Sequence, residues 1–291
     1  MKQALRTALA ALGRDITPAM IDGTRKVYAN RVRRPSDALC SVLRDCAYGP
    51  HERHRLDLFI PVAPAARPRP VLVFVHGGGF VAGDKGGPDD AFFNNIGSWA
   101  ADQGFVAVTL TYRLAPAAPW PAGIEDLERA MAWLQAQLPA HGGDPAHIVL
   151  MGQSAGAVHV AGYIASRGSR RPSQIAAAVM VSGLYDLTTL AHSPREHAYF
   201  GTDASRFVEQ SPLPGLLRSE LPCLYVVAEL DPPSFQAQAA QLVRDHLAAR
   251  GQWPRMQYLS GHNHLSTVMQ IGSPDDDFGP ELRSFVKAPH A

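Results

Sequence analysis

HIVLMGQSAGAVHVAGYIA, residues His147 to Ala165, runs an apolar stretch into Gly-Gln-Ser-Ala-Gly and then into small and apolar residues at helical spacing. A strand that turns into a helix at a serine between glycines is either a tight connection or a nucleophile held at the tip of a sharp bend. Gly152 and Gly156 flank Ser154 at the spacing of a nucleophile elbow. Such a bend strains the backbone at the serine, so its neighbours must be small. Gly152, Ala155, Gly156 and Ala157 meet that demand. A GxSxG run arises by chance in about one chain in ten of this length, so its meaning depends on what accompanies it.

On either side the chain alternates. The valine-rich runs 71–75, 105–112, 147–151, 176–182 and 223–228, with a weaker run at 255–259, predict short strands apolar on both faces. Residues 89–103, 124–138 and 234–250 carry amphipathic helical spacing, closed by Gly104, Pro139 and Gly251. Pro61 to Pro70 reads as an exposed connection. Strand–helix alternation predicts a mainly parallel, doubly wound sheet, and ligands in such sheets bind beyond the carboxyl ends of the strands.

Three further features fall at those ends. HGGGF, His76–Phe80, follows the strand 71–75, and His followed by three glycines arises by chance in well under ~1% of such chains. A phosphate loop fails on spacing, because neither the Lys-Ser/Thr pair nor a GxGxxG run is present. The remaining functional reading is a nest of amide donors for an oxyanion, joined by the Ala155 N–H at the helix start. AELDPP, Ala228–Pro233, offers Asp231 as the acid that orients an imidazole, with Glu229 in reserve. Alone, that aspartate would read as a helix N-cap. SGHNHLS, Ser260–Ser266, read as a loop after the last strand, offers His262 and His264. The two could instead pair on a metal, but no further ligand cluster accompanies them, so no metal and no cofactor is expected.

Composition narrows the class. The 291 residues are 46% hydrophobic and 18% charged, enough apolar content for a sizeable core. With 27 basic and 26 acidic residues there is no cationic stripe for nucleic acid. No run reaches the roughly 18 apolar residues of a membrane span, and the opening MKQALRTALAALGRDITP reads as a helix of the mature protein. Cys40, Cys46 and Cys223 show neither a disulfide framework nor zinc spacing, which points to a reducing, cytoplasmic setting.

With these motifs in view, the chain resembles α/β-hydrolase esterases of the hormone-sensitive-lipase type and the neighbouring carboxylesterase and kynurenine-formamidase-like group. HGGGF and Tyr112–Leu134 (YRLAPAAPWPAGIEDLERAMAWL) resemble the former; YGPHERHRLDLF and SGLYDL resemble the latter. The order Ser, Asp, His along the chain is that of the fold. The resemblance implies one α/β-hydrolase domain over residues 1–291, with a small helical cap from residues 1–44 and about 184–221. It implies Ser154 as nucleophile, Asp231 as acid and His264 as base. His264 is preferred to His262 because the family's histidine is commonly followed by an apolar residue, as Leu265 follows here. Gly77, Gly78 and Ala155 would donate to the oxyanion, and Phe80, Trp120 and Tyr185 would lie near the substrate. The implied activity is hydrolysis of small to medium carboxylic esters through an acyl-enzyme. Amidase or arylformamidase chemistry is the alternative, and a non-catalytic ligand-binding protein on the same fold is the alternative from another class. The expected partner is a small-molecule ester, and the oligomeric state stays open, a homodimer included. Gln153 and Ala157 depart from the Asp and Gly usual in lipase-type esterases, and PPSFQ follows the acid where a Leu-Arg-Asp-Glu-like continuation is usual.

Overall fold

In the computed structural model, which describes residues 2–167 and 175–289, eight strands form one sheet. They are β1 (Cys40–Ala47), β2 (Arg55–Pro61), β3 (Arg69–Val75), β4 (Val106–Leu110), β5 (Gly143–Gln153), β6 (Ala177–Val181), β7 (Cys223–Leu230) and β8 (Met256–Asn263). The spatial order is β1-β2-β4-β3-β5-β6-β7-β8. β2 runs antiparallel to β1 and β4, and every other neighbouring pair is parallel. This is the doubly wound sheet that the alternation predicts, with an antiparallel edge that its periodicity did not mark. β1 alternates between covered and open residues and carries charges, so it lacks the all-apolar signature of the central strands. It also occupies part of the 1–44 stretch expected to be cap.

Side-chain alternation along β3 explains the layering. Val71, Val73 and Val75 face one core with Leu127, Met131 and Leu134 of the helix Ala122–Gln137. Leu72 and Phe74 face the other, with Ile96 and Trp99 of Asn94–Asp102 and Leu282 and Phe285 of Gly279–Lys287. Period-two side chains on a strand buried on both sides require a helix layer on each face. The helix expected over 89–103 begins at Asn94. The Asn94 side chain donates instead to the carbonyls of Gly87 and Asp90, which holds 87–93 as an irregular turn. β8 continues to Asn263, so Ser260–Asn263 is strand rather than loop.

Two groups of shorter helices lie outside this sandwich. Gln3–Ala11 and Pro18–Tyr28 come first, the second capped by Thr17 Oγ1 accepting from the Met20 amide at 3.2 Å. Pro194–Phe200, Phe207–Gln210 and Leu213–Arg218 fill the segment between β6 and β7. Among the described residues, no helix is long and apolar enough to cross a membrane, and no group of three or more His, Cys, Asp or Glu side chains is placed to hold a metal ion.

Candidate active site

β5 ends at Gln153 and a helix begins at Ala155, leaving Ser154 between them with φ 55° and ψ −123°. A non-glycine residue there costs on the order of 1–3 kcal/mol, which the surroundings must offset. They do so by pinning both sides of the residue: its N–H donates to the Val181 carbonyl at 2.9 Å, and its carbonyl accepts from Ala157 at 2.9 Å. Gly156 is required by close approach, because a Cβ on it would sit 2.1 Å from the Val75 carbonyl oxygen at the end of β3. The elbow and the triglycine loop are thus packed backbone against backbone. As the first residue of its helix, Ala155 has no intrahelical partner for its N–H.

The triglycine loop is held by its carbonyls. The Tyr112 hydroxyl donates to His76 O at 2.9 Å, His76 Nδ1 donates to Gly77 O at 2.6 Å, and the Ala82 amide donates to Gly78 O at 3.1 Å. A planar trans peptide sets each N–H opposite the preceding C=O. The amides of Gly77, Gly78 and Gly79 are therefore each turned away from a fixed anchor. Gly78 takes φ +134°, a region closed to side chains. A Cβ on Gly77 would lie 3.0 Å from Ser154 Cβ, so this loop runs directly beside the serine. Under it, His76 stacks on Tyr112 at 4.4 Å, and burial pushes the His76 pKa down to about 4. His159, edge-on to Tyr112, is pushed to about 3 by the same cause, with the neighbouring His76 adding to it.

The fully buried carboxylate of Asp231 lies just beyond β7. One oxygen accepts from His264 Nδ1 at 2.7 Å; the other accepts from Ser182 Oγ at 2.7 Å and the Ala228 amide at 2.8 Å. Since a carboxylate only accepts, Nδ1 carries the proton and Nε2 is the basic nitrogen. That Nε2 is buried without a hydrogen-bond partner among the described residues, in a side chain that lines the same cavity as Ser154. Gln153 Nε2 donates to the His264 carbonyl at 3.0 Å, tying this histidine to the residue before the serine.

The competing candidates lie elsewhere. His262 Nδ1 meets Ser266 Oγ at 3.0 Å and its Nε2 faces Asp277 at 3.4 Å; burial pushes it down to about 4, and it does not line the cavity. Glu229 accepts from Ser260 Oγ at 2.7 Å and the Gly261 amide at 2.6 Å, contacts that hold its carboxyl below the usual range.

Ser154, His264 and Gly77–Gly79 line a cavity of about 830 Å³. Phe80 lines it; Trp120 and Tyr185 do not. The Trp120 ring lies under the Arg206 guanidinium, 5.8 Å away, and lines a separate pocket with Ile124 and Val208. Tyr185 turns its ring into the core against Tyr225 at 5.9 Å, because Gln238 Oε1 accepts from its amide and that of Asp186, both at 2.7 Å. Its neighbour Leu184 lines the cavity instead, with Val158 and Phe235. Phe235 also packs on the His264 ring at 4.6 Å. Its position four residues after Asp231, beyond two prolines, was the available signal. Ile16 from the connection before the helix Pro18–Tyr28, Ile21 and Arg25 from that helix, and Phe92 and Phe93 from the turn before Asn94 also line it. No local motif marks them.

The sheet order, the elbow and the acid and base at successive strand ends define an α/β-hydrolase fold. The family model described as BD-FAE matches residues 56–244, more than half of the chain, and the protein belongs to that family. Esterase LipQ of Mycobacterium tuberculosis is 31% identical over 208 residues, covering 66% of this chain and 47% of that protein. A probable isoprenylcysteine alpha-carbonyl methylesterase of rice, Oryza sativa subsp. japonica, is 34% identical over 169 residues, covering 55% of this chain and 39% of its own length. The chain thus spans less than half the length of these curated relatives. Among solved structures, esterase B of Lactobacillus rhamnosis superposes with a TM-score of 0.76 at 18% identity, over 99% of this chain and 97% of that one. A hyperthermophilic esterase of Pyrobaculum calidifontis gives 0.70 at 22% identity, over 98% and 96%. At such identities these structures speak to the fold alone.

Proposed function

We propose that this chain is a serine carboxylesterase that transfers an acyl group from a small or medium ester to Ser154 and then to water. One observation carries the reading: an imidazole fixed by a buried aspartate, with its basic nitrogen unpartnered, shares a cavity with a strained serine and a row of anchored glycine amides. His264 takes the Ser154 hydroxyl proton as the oxygen attacks the carbonyl carbon, and Asp231 steadies the imidazolium that forms. The amides of Gly77, Gly78 and Ala155 receive the oxyanion, with Gly79 as a further donor in the same loop. Losing one such donor costs roughly 3–4 kcal/mol of transition-state stabilisation. The imidazolium then protonates the leaving alcohol, and water repeats the cycle on the acyl-enzyme. The named esterases among the relatives favour esters over amides.

The segment before β1 and the segment between β6 and β7 form the cap in this reading, since both contribute cavity walls: Ile16 and Ile21 from one, Leu184 and Arg195 from the other. The three free cysteines support a reducing, cytoplasmic setting.

The test is 4-nitrophenyl butyrate hydrolysis together with labelling by a fluorophosphonate probe. Both should occur with the wild-type protein and vanish with Ser154→Ala. Labelling without turnover of any ester, or turnover that survives the substitution, contradicts the reading. Faster turnover of N-formylkynurenine than of short esters would move it to the formamidase alternative.

A further inference from the structure

The charges around the cavity are unequally satisfied. Three carboxylates line it, and each is engaged. Asp84 accepts from the Gly86 amide at 3.1 Å. Glu196 accepts from the Ser193 amide at 2.6 Å as half of a capping box. Asp90 accepts from the Gly87 amide at 3.0 Å and pairs with Arg25 at 3.4 Å. The second arginine in the lining is different. Arg195 enters from the first turn of Pro194–Phe200, and its guanidinium has no hydrogen-bond or ion-pair partner among the described residues. Its side chain is exposed to solvent but follows the cavity rim. Its Cδ lies 2.8 Å, and its Nη1 3.5 Å, from the point a Cβ on Gly79 would occupy, so the side chain lies across the triglycine loop. A planar five-donor cation is thus held beside the site where an ester carbonyl would be attacked.

We propose that Arg195 is a specificity-determining residue, and that the substrate is an ester carrying an anionic group, a carboxylate or phosphate, close enough to the scissile bond to reach it. This rests on the esterase reading above and names its substrate class. Because the Arg195 side chain is exposed, it has not been desolvated before a substrate arrives. An anion seated beside it can accept a charge-assisted, bidentate contact from the guanidinium. Of the three acidic neighbours only Asp90 has a counter-ion, Arg25; Asp84 and Glu196 accept from backbone amides and keep their charge, so the direct contact with Arg195 has to outweigh them.

The experiment measures kcat/KM for two matched pairs of esters, using wild type, Arg195→Ala, Arg195→Lys and Arg195→Glu. 4-Nitrophenyl hydrogen adipate against 4-nitrophenyl hexanoate places the charge in the acyl part. 4-Acetoxybenzoate against phenyl acetate places it in the leaving group. Because the anionic and neutral rates come from one preparation, their ratio is independent of the fraction of folded enzyme. In at least one pair, Arg195→Ala should lower the anionic-to-neutral ratio about tenfold, chiefly through KM. Arg195→Lys should recover part of it and Arg195→Glu should lower it further. The pair that responds tells which side of the ester carries the charge. A ratio that moves less than about threefold in both pairs, with Ala and Glu alike, overturns the proposal while the esterase reading stands. Loss of all turnover and of fluorophosphonate labelling in the wild type would overturn both.

Discussion

The floor and the roof of the cavity are built on different principles. The floor comprises the elbow, the triglycine loop and the Asp231–His264 pair, all at or just past the carboxyl ends of neighbouring strands. Its parts meet through backbone contacts and short hydrogen bonds: Gly156 against Val75, Gly77 against Ser154, Gln153 to His264. The roof, from residues 16–25 and the segment between β6 and β7, meets the cavity through side chains such as Ile16, Ile21, Leu184 and Arg195. Backbone packing tolerates almost no change, whereas side-chain walls can be exchanged for others of similar volume. In the proposed reading, chemistry belongs to the floor and substrate choice to the roof.

Several measurements would break or sharpen that contrast. Ser154→Ala should reduce kcat by at least about 10⁴-fold with an unchanged far-ultraviolet spectrum. The two histidines provide the next largest contrast. His264→Ala should cost about 10³-fold or more in kcat at near wild-type melting temperature. His262→Ala should keep kcat within about tenfold but lower the melting temperature by several degrees, since it loses the contacts to Ser266 and Asp277. Reversed outcomes would exchange their roles.

Acid should weaken the floor. Burial holds His76 and His262 at about 4 and His159 at about 3, below the ordinary value of 6.5. The unfolded chain takes up these protons as pH falls below 6.5, while the folded chain does not until about pH 4. Stability should then be complete above pH 6.5 and decline from there to pH 4, by up to roughly 3 kcal/mol for each histidine. Denaturant melts at pH 7.5, 5.5 and 4.5 would measure it, and a flat profile would mean these rings are not held neutral.

Smaller effects separate the two regions further. Tyr112→Phe removes the hydroxyl that anchors His76 O. It should lower kcat about three- to tenfold on every ester alike, as expected for a positioning contact in the floor. Ile21→Ala, in the roof, should shift hexanoate-to-acetate selectivity about two- to fivefold with little change in the best kcat. Uniform loss from Ile21→Ala would mean that the roof also sets the chemistry.

Much of the floor was legible from residue order. Small residues around Ser154 and three glycines after a strand are demands of backbone geometry, and such demands are written locally. The Asp231–Pro232–Pro233 stretch likewise announced a rigid strand end. The choice between His262 and His264 was not written in periodicity. Residues i and i+2 of a strand share a face, but β8 ends at Asn263, so His262 lies within it and His264 turns beyond it toward Asp231. The apolar residue after His264 favoured it by resemblance, and the hydrogen bond supplies a physical ground.

The roof was less legible. Trp120 and Tyr185 have the bulk and position of pocket residues, yet Arg206 covers one and Gln238 turns the other into the core. Ile16, Ile21, Phe92 and Phe93 reach the cavity from segments that carry no motif. By itself, then, the amino-acid order determined the central sheet, the sharp turns at its strand ends and the candidate acid, base and nucleophile, because each depends on what a few adjacent residues can sterically adopt. Only the tertiary structure decided which ring pairs with the acid, which side chains wall the cavity and which of its two arginines has no ion-pair partner among the described residues. Those outcomes depend on atoms brought together from distant parts of the chain.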